Sequence, residues 1–165
     1  MRSSLGRRPT LTEFYRSGAN LQALRQLHGG WLRLVDDMRD LSEAEAAVVS
    51  RYPLFLREVE GTAMTKCFKM VLLEAFLELD GLRNAVPLAS LCERSWHVLQ
   101  RRKSFLSDLP DQRFYAEDGT STDWRAYWRE NPVNAWTGGN RASAEGSFFQ
   151  IIDDKFSFSA VERRR

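Results

Sequence analysis

Few residues in this chain could carry redox, metal or catalytic chemistry. Among its 165 residues are two cysteines, Cys67 and Cys92, and two histidines, His28 and His97. No CxxC pair occurs, and a zinc site needs ligands closer in sequence than these four. Each thiol is expected to stay reduced on an apolar helix of a cytoplasmic protein. No apolar run approaches the roughly 20 residues of a membrane span, and the N-terminus lacks the apolar core of a secretory signal, so no membrane partner is expected. Phosphate loops of the GxxxxGK[ST] kind, GxSxG elbows, HExxH helices and GxGxxG turns are all missing. Without them the chain reads as a non-enzyme, with no catalytic residue, no cofactor and no metal. Asp153-Asp154-Lys155 fits a hairpin turn better than a nuclease centre. Glu74 and Glu78, one helical turn apart, fit a solvated stripe better than an acid–base pair.

A large net charge is also missing. The 24 Lys and Arg against 22 Asp and Glu leave +2, so a nucleic-acid partner would need the charge unevenly spread. Basic residues do cluster, at Arg101-Arg102-Lys103 and at Arg163–Arg165. A chain 43% hydrophobic and 28% charged is a folded protein, and its length suits one domain. Most of the 5 Trp and 10 Phe are expected to fill the core.

The patterning predicts a mainly α fold with a small C-terminal β-hairpin, a single helical domain over 1–165 cut from a longer protein. Residues 1–10 read as an arginine-bearing lead-in ending at Pro9. The helical core spans 20–102. Leu21, Leu24, Leu27, Trp31, Leu34 and Met38 share one face from about Asn20, with Gly29-Gly30 as a break. Ser42 and Glu45 form a capping box, and Pro53 disturbs or ends the helix that follows. The clearest element starts at Thr65 as N-cap and stops near Asp80-Gly81, with Gly81 as the left-handed cap. It is apolar on nearly every side, so it is the buried centre. Pro87 opens a fourth helix carrying Leu88, Leu91, Cys92, Ser95, Trp96 and Leu99. Residues 107–121 read as a long loop. Within 122–160 come a short helix over about 123–129, ended by Asn131-Pro132, then a glycine turn, and a hairpin about Asp153-Asp154.

Three places stand out as binding features. Lys69 shares a face with Leu73 and Leu77 and lies in the first helical turn, where the dipole disfavours a cation. An anion on the free N–H groups of this helix end resolves both difficulties, as does a snorkelling stem or pairing with an acid such as Glu60. Arg101-Arg102-Lys103 ends the fourth helix, where cations are expected on dipole grounds alone. In Asn131-Pro132-Val133-Asn134-Ala135-Trp136, a proline and an alanine three residues apart can form a small dry dent. Gly138 and Gly139 beside it allow close backbone approach, and Asn140 and Arg141 can reach a groove edge.

These residues carry a family resemblance. Thr65–Glu74, TKCFKMVLLE, resembles the basic, leucine-rich helix of DNA sulfur-binding domains, which read phosphorothioate-modified DNA in bacterial restriction proteins. NPVNAW resembles their Pro-x-x-Ala sulfur pocket. Phe68 stands where the family usually has histidine, and Asn131 where a tyrosine often precedes the proline. Separately, Phe55–Arg102 resembles an accessory region of restriction and antiphage-defence helicases. The resemblance implies a double-stranded DNA partner and an effector helicase or nuclease in the same chain or complex. It implies a site of Thr65, Lys66, Phe68, Lys69, Arg101, Arg102, Asn131, Pro132, Ala135, Trp136, Gly139, Asn140 and Arg141. Two other readings compete: a helicase-associated domain on unmodified DNA, and a protein-interaction domain docking through exposed Trp124 and Trp128.

Overall fold

The computed structural model describes residues 6–110, 114, 118–139 and 147–159, and the chain forms two compact units, Met1–Ala63 and Met64–Arg165. The boundary follows shortly after Gly61 and Thr62, where a glycine and an extended threonine end a helix.

The first unit is helical throughout its regular structure. Thr10 and Glu13 form a capping box that starts α1 (Leu11–Arg16), within and just beyond what reads as lead-in. Arg7 pairs with Glu13 at 2.7 Å and Arg8 with Glu45 at 2.5 Å. The lead-in is thus fastened to the two carboxylates that close capping boxes. Asn20 caps α2 (Leu21–His28), which ends on Gly29 at φ 78°. α3 (Trp31–Asp37) follows at once, and Gly30 before it has no side chain to offer as a cap. The Glu60 carboxylate does that work, accepting from the backbone N–H groups of Trp31 and Leu32. Gly30 is required there: a Cβ would lie 2.7 Å from the Glu60 carboxylate, and its φ is 145°. Ser42 and Glu45 start α4 (Glu43–Arg51) as predicted. Pro53 does more than interrupt it, opening α5 (Pro53–Gly61) in the first turn, where its missing N–H is not needed.

This unit should be acid-sensitive. Arg7, with the Thr10 backbone and hydroxyl, holds the Glu13 carboxyl at about 2 instead of 4.5. Arg8 and the Ser42 cap do the same for Glu45. Because the folded values lie below the unfolded ones, the unfolded chain takes up these protons first as pH falls. The stability they contribute is complete above the ordinary carboxylate range and is lost between about pH 4.5 and 2. Both groups are exposed, so salt should blunt the effect. Far-UV circular dichroism of the full chain is expected to lose helix over that window, and Glu13→Gln with Glu45→Gln to flatten the loss. Superimposable acid profiles would contradict this account.

The second unit is built on α6 (Phe68–Glu78), which buries Phe68, Val71, Leu72, Leu73, Ala75 and Phe76. It starts later than predicted, because the cap comes from far along the chain: the Asp108 carboxylate accepts from Cys67 N at 2.7 Å. At its end Asp80, not Gly81, takes the left-handed conformation, with φ 54°. Gly81 is needed for a different reason, since a Cβ there would run into the Phe76 ring. Strand β1 (Val86–Pro87) leads into α7 (Leu88–Gln100), so Pro87 precedes the helix, and α8 (Lys103–Leu106) lies in what reads partly as helix end.

Ser121 caps α9 (Thr122–Trp128), accepting from Trp124 N at 3.1 Å. Asn131-Pro132 does not stop this helix. The chain widens into a π-helical turn (Arg129–Val133) and resumes as α10 (Asn134–Trp136). In α geometry the proline ring would collide with the carbonyl four residues back. In the wider turn Asn134 N–H donates to Arg129 O, five residues back, and the Asn131 side chain donates to Tyr127 O at 2.8 Å.

The hairpin forms as predicted, with β2 (Phe149–Ile152) and β3 (Lys155–Phe158) joined through Asp153 and Asp154 at φ 49° and 56°, as a tight two-residue turn requires. Phe149 pairs with Phe158 and Ile151 with Phe156, while β1 adds to the other edge of β3 through Val86 and Phe156. Beneath the sheet Phe76 meets Phe149 and Phe156 edge-on, with centroids 5.5 and 5.3 Å away. The fold is mainly α with a small antiparallel sheet near the C-terminus.

Candidate functional site

The start of α6 and the NPVNAW segment lie against one another. The π turn packs on α6. Phe68 is buried with its ring 5.9 Å from Tyr127 and 5.2 Å from Trp128. The Trp136 indole N–H donates to Lys69 O at 2.9 Å, across 67 residues of chain. Two ammonium groups stand on this aromatic ground: Lys69 Nζ lies 5.5 Å from the centroid of Trp136, and Lys66 Nζ lies 5.2 Å from that of Phe68. Such placement lets the stems cover the rings while each charge is attracted to a ring face. After Trp136 the chain turns through Gly138 (φ 111°) and Gly139 (φ 53°), both in conformations that favour glycine. Ser147 then donates to Trp136 O and ties the returning chain to the same place.

The other expected residues divide. Pro132 is buried, so it shapes the turn and offers little surface, whereas Ala135 and Gly139 are exposed. Asn131 is exposed, with its amide used on Tyr127 O. Thr65 is exposed in a bend and caps nothing. Asn140 and Arg141 lie outside the described residues, as do Arg163–Arg165. The helix end itself already holds an anion, because Asp108 occupies it. That carboxylate and, more strongly, burial push the Cys67 thiol up to about 12, while burial takes Cys92 to about 11. Neither thiol is a nucleophile at neutral pH.

Arg101 and Arg102 belong to another face. Arg101 is bidentate on Glu78, and Arg102 pairs with Glu74 at 3.2 Å. Glu74 lies five residues beyond Lys69, roughly 140° around the helix. The stripe of Glu74 and Glu78 is therefore half of an ion-pair row that neutralises the arginine cluster, and Arg101 holds Glu78 below the usual carboxylate range.

The protein-interaction reading loses its anchors, for Trp124 and Trp128 are 1% and 0% exposed. They stack on each other at 4.5 Å, and the Trp124 indole donates to Cys92 O at 2.9 Å. Tryptophans four residues apart on a short helix mark a buried face as readily as a docking one. Asp108, Tyr127 and Ser147 were not foreseen as site residues. Each acts over a distance in sequence that leaves no local pattern.

No protein-family model, curated protein or solved structure matches this chain. Among the described residues no helix is long and apolar enough to cross a membrane, and no group of three or more His, Cys, Asp or Glu could hold a metal ion.

Proposed function

We propose that this chain is a non-catalytic module that binds the backbone of double-stranded DNA and thereby directs a helicase or nuclease effector to it. One observation carries the reading: Lys66 lies over the ring of Phe68 and Lys69 over that of Trp136, two residues before the Gly138-Gly139 turn. Ammonium groups placed over aromatic rings suit phosphate oxygens, and the glycine turn admits close approach of a backbone. The finer reading is a preference for phosphorothioate-modified DNA. Sulfur in place of a non-bridging oxygen is larger and less well hydrated, and exposed Ala135, next to Trp136, is the small apolar contact that favours it. The burial of Pro132 favours the alternative, in which unmodified DNA binds equally well.

The test is a titration of one duplex with and without a single phosphorothioate over a range of salt. Two lysine–phosphate contacts should contribute a slope of about −2 in log K against log salt. Burial of one sulfur, worth about 1 kcal/mol by area, should give the modified duplex about a fivefold advantage. Equal affinities remove sulfur selectivity and keep DNA binding; no binding to either duplex rejects both.

A further inference from the structure

Away from the lysines, the second unit holds a cleft of about 310 Å³ between α7, α9 and the hairpin turn. Arg125 and Arg129, four residues apart, stand at its edge with Asp154, and its apolar wall is Leu88, Cys92 and Ala126. The geometry points to a binding site for a small amphiphilic monoanion, an apolar body of a few carbons carrying one carboxylate.

Several observations converge on that chemistry. Arg129 Nη1 lies 3.2 Å from Asp154 Oδ1, which fixes one guanidinium and neutralises it. Asp154 is itself held, since its carbonyl accepts from Leu88 N at 2.9 Å, joining the hairpin turn to the start of α7. The Arg125 guanidinium makes no hydrogen bond or ion pair among the described residues, although its charge is felt at Asp118. Two arginines and one aspartate leave a single positive charge. That matches a monoanion, while a dianion would meet the Asp154 carboxylate. Leu88 and Cys92 are buried beneath, so a bare hydrated ion would desolvate against them for no return. A ligand with a hydrocarbon body gains from the same surface. The volume lies at the low end for small-molecule sites, which suits a ligand of a few carbons. A planar guanidinium suits a carboxylate, which it can grip through two parallel hydrogen bonds.

Such a group could come from a free carboxylic acid or from the C-terminus of a peptide ending in an apolar residue. Calorimetric titration of the full chain separates them. The probes are hexanoate, hexan-1-ol, inorganic phosphate, and a short leucine-terminated peptide as free acid and as amide. Hexanoate should bind saturably, with hexanol and phosphate at least about tenfold weaker. Arg125→Gln should weaken hexanoate about tenfold, the loss of one charge-assisted contact, and Arg125→Lys should recover part of it. Ala126→Phe should fill the cleft and abolish hexanoate binding with both guanidiniums intact. Arg125 and Ala126 are exposed, so both variants should keep the parent circular dichroism. A peptide acid that outbinds hexanoate, with an inert amide, identifies a chain end as the ligand; the opposite order identifies a free acid. The proposal is overturned if no carboxylate binds saturably, if phosphate matches hexanoate, or if neither variant changes hexanoate affinity. It is independent of the DNA reading, and Arg125→Gln should leave duplex affinity as it was.

Discussion

Phe76→Ala is expected to destabilise the Met64–Arg165 unit by about 3–5 kcal/mol, the range for emptying a buried aromatic site. That is a large share of the roughly 5–15 kcal/mol that separates folded from unfolded domains. The expectation rests on position. Phe76 has no exposed surface, touches both Phe149 and Phe156 edge-on, and is pressed from another side by Gly81. Phe149 and Phe156 in turn stack at 5.0 Å. Deleting the ring therefore removes the contact through which α6 holds the sheet, as well as aromatic pairings worth about 0.5–1.5 kcal/mol each beyond their area. The cavity could be closed only by moving a sheet whose register is set by the Asp153-Asp154 turn and by β1. Leu77→Ala is the control, one residue along the same helix and 51% exposed; it should cost less than about 1 kcal/mol. Urea unfolding followed by tryptophan fluorescence reports chiefly on this unit, which contains four of the five tryptophans, Trp96, Trp124, Trp128 and Trp136. If the two variants shift the midpoint equally, the ring is not the joint described.

What could be read in advance follows the reach of each interaction. The Ser42–Glu45 box, the Gly29-Gly30 break and the paired aspartates of the hairpin all close within about four residues and appear where predicted, and Asn20, where the first pattern begins, is the cap of its helix. The Thr10–Glu13 box has the same grammar, but the helix it opens is six residues long, too short for a 3.6-residue period to declare itself. Caps delivered across the chain are illegible locally. Glu60 reaches back 29 residues to Trp31, and Asp108 reaches back 41 to Cys67. The second of these matters most for function, because an unfilled helix end and one filled by a distant aspartate look the same in sequence. Pro132 escaped the usual stop rule because that rule assumes α geometry, and a one-residue widening evades the clash. Arg101 and Arg102 make sense at a helix end and Glu74 and Glu78 on a polar stripe. Only the packing of α7 on α6 makes them one row. The approach of Trp136 to Lys69 likewise has no local signal; it was an expectation of the family resemblance and of nothing in the periodicity.

Lys66→Gln combined with Lys69→Gln is expected to weaken duplex binding about a hundredfold at low salt. A charge-assisted hydrogen bond contributes about 1.5 kcal/mol or more, close to a factor of ten each. The same substitution should make the slope of log K against log salt shallower by about 2. Glutamine preserves much of each stem, so the cover over Phe68 and Trp136 is largely kept, and the loss is one of charge. The ion-pair row supplies the contrast. Arg102→Gln with Glu74→Gln removes an arginine and its partner together, on a face roughly 140° from Lys69, and should change duplex affinity by less than about twofold. The modified duplex adds a second axis. Its advantage over the plain one should survive loss of the lysines, because the modified and plain linkages carry the same net charge. It should vanish in Ala135→Leu, which crowds the exposed apolar contact, whereas substituting buried Pro132 should disturb the turn for both duplexes alike. If the double lysine variant binds as tightly as the parent, the aromatic face is not the DNA-binding surface; if Ala135→Leu keeps the preference, the sulfur lies elsewhere.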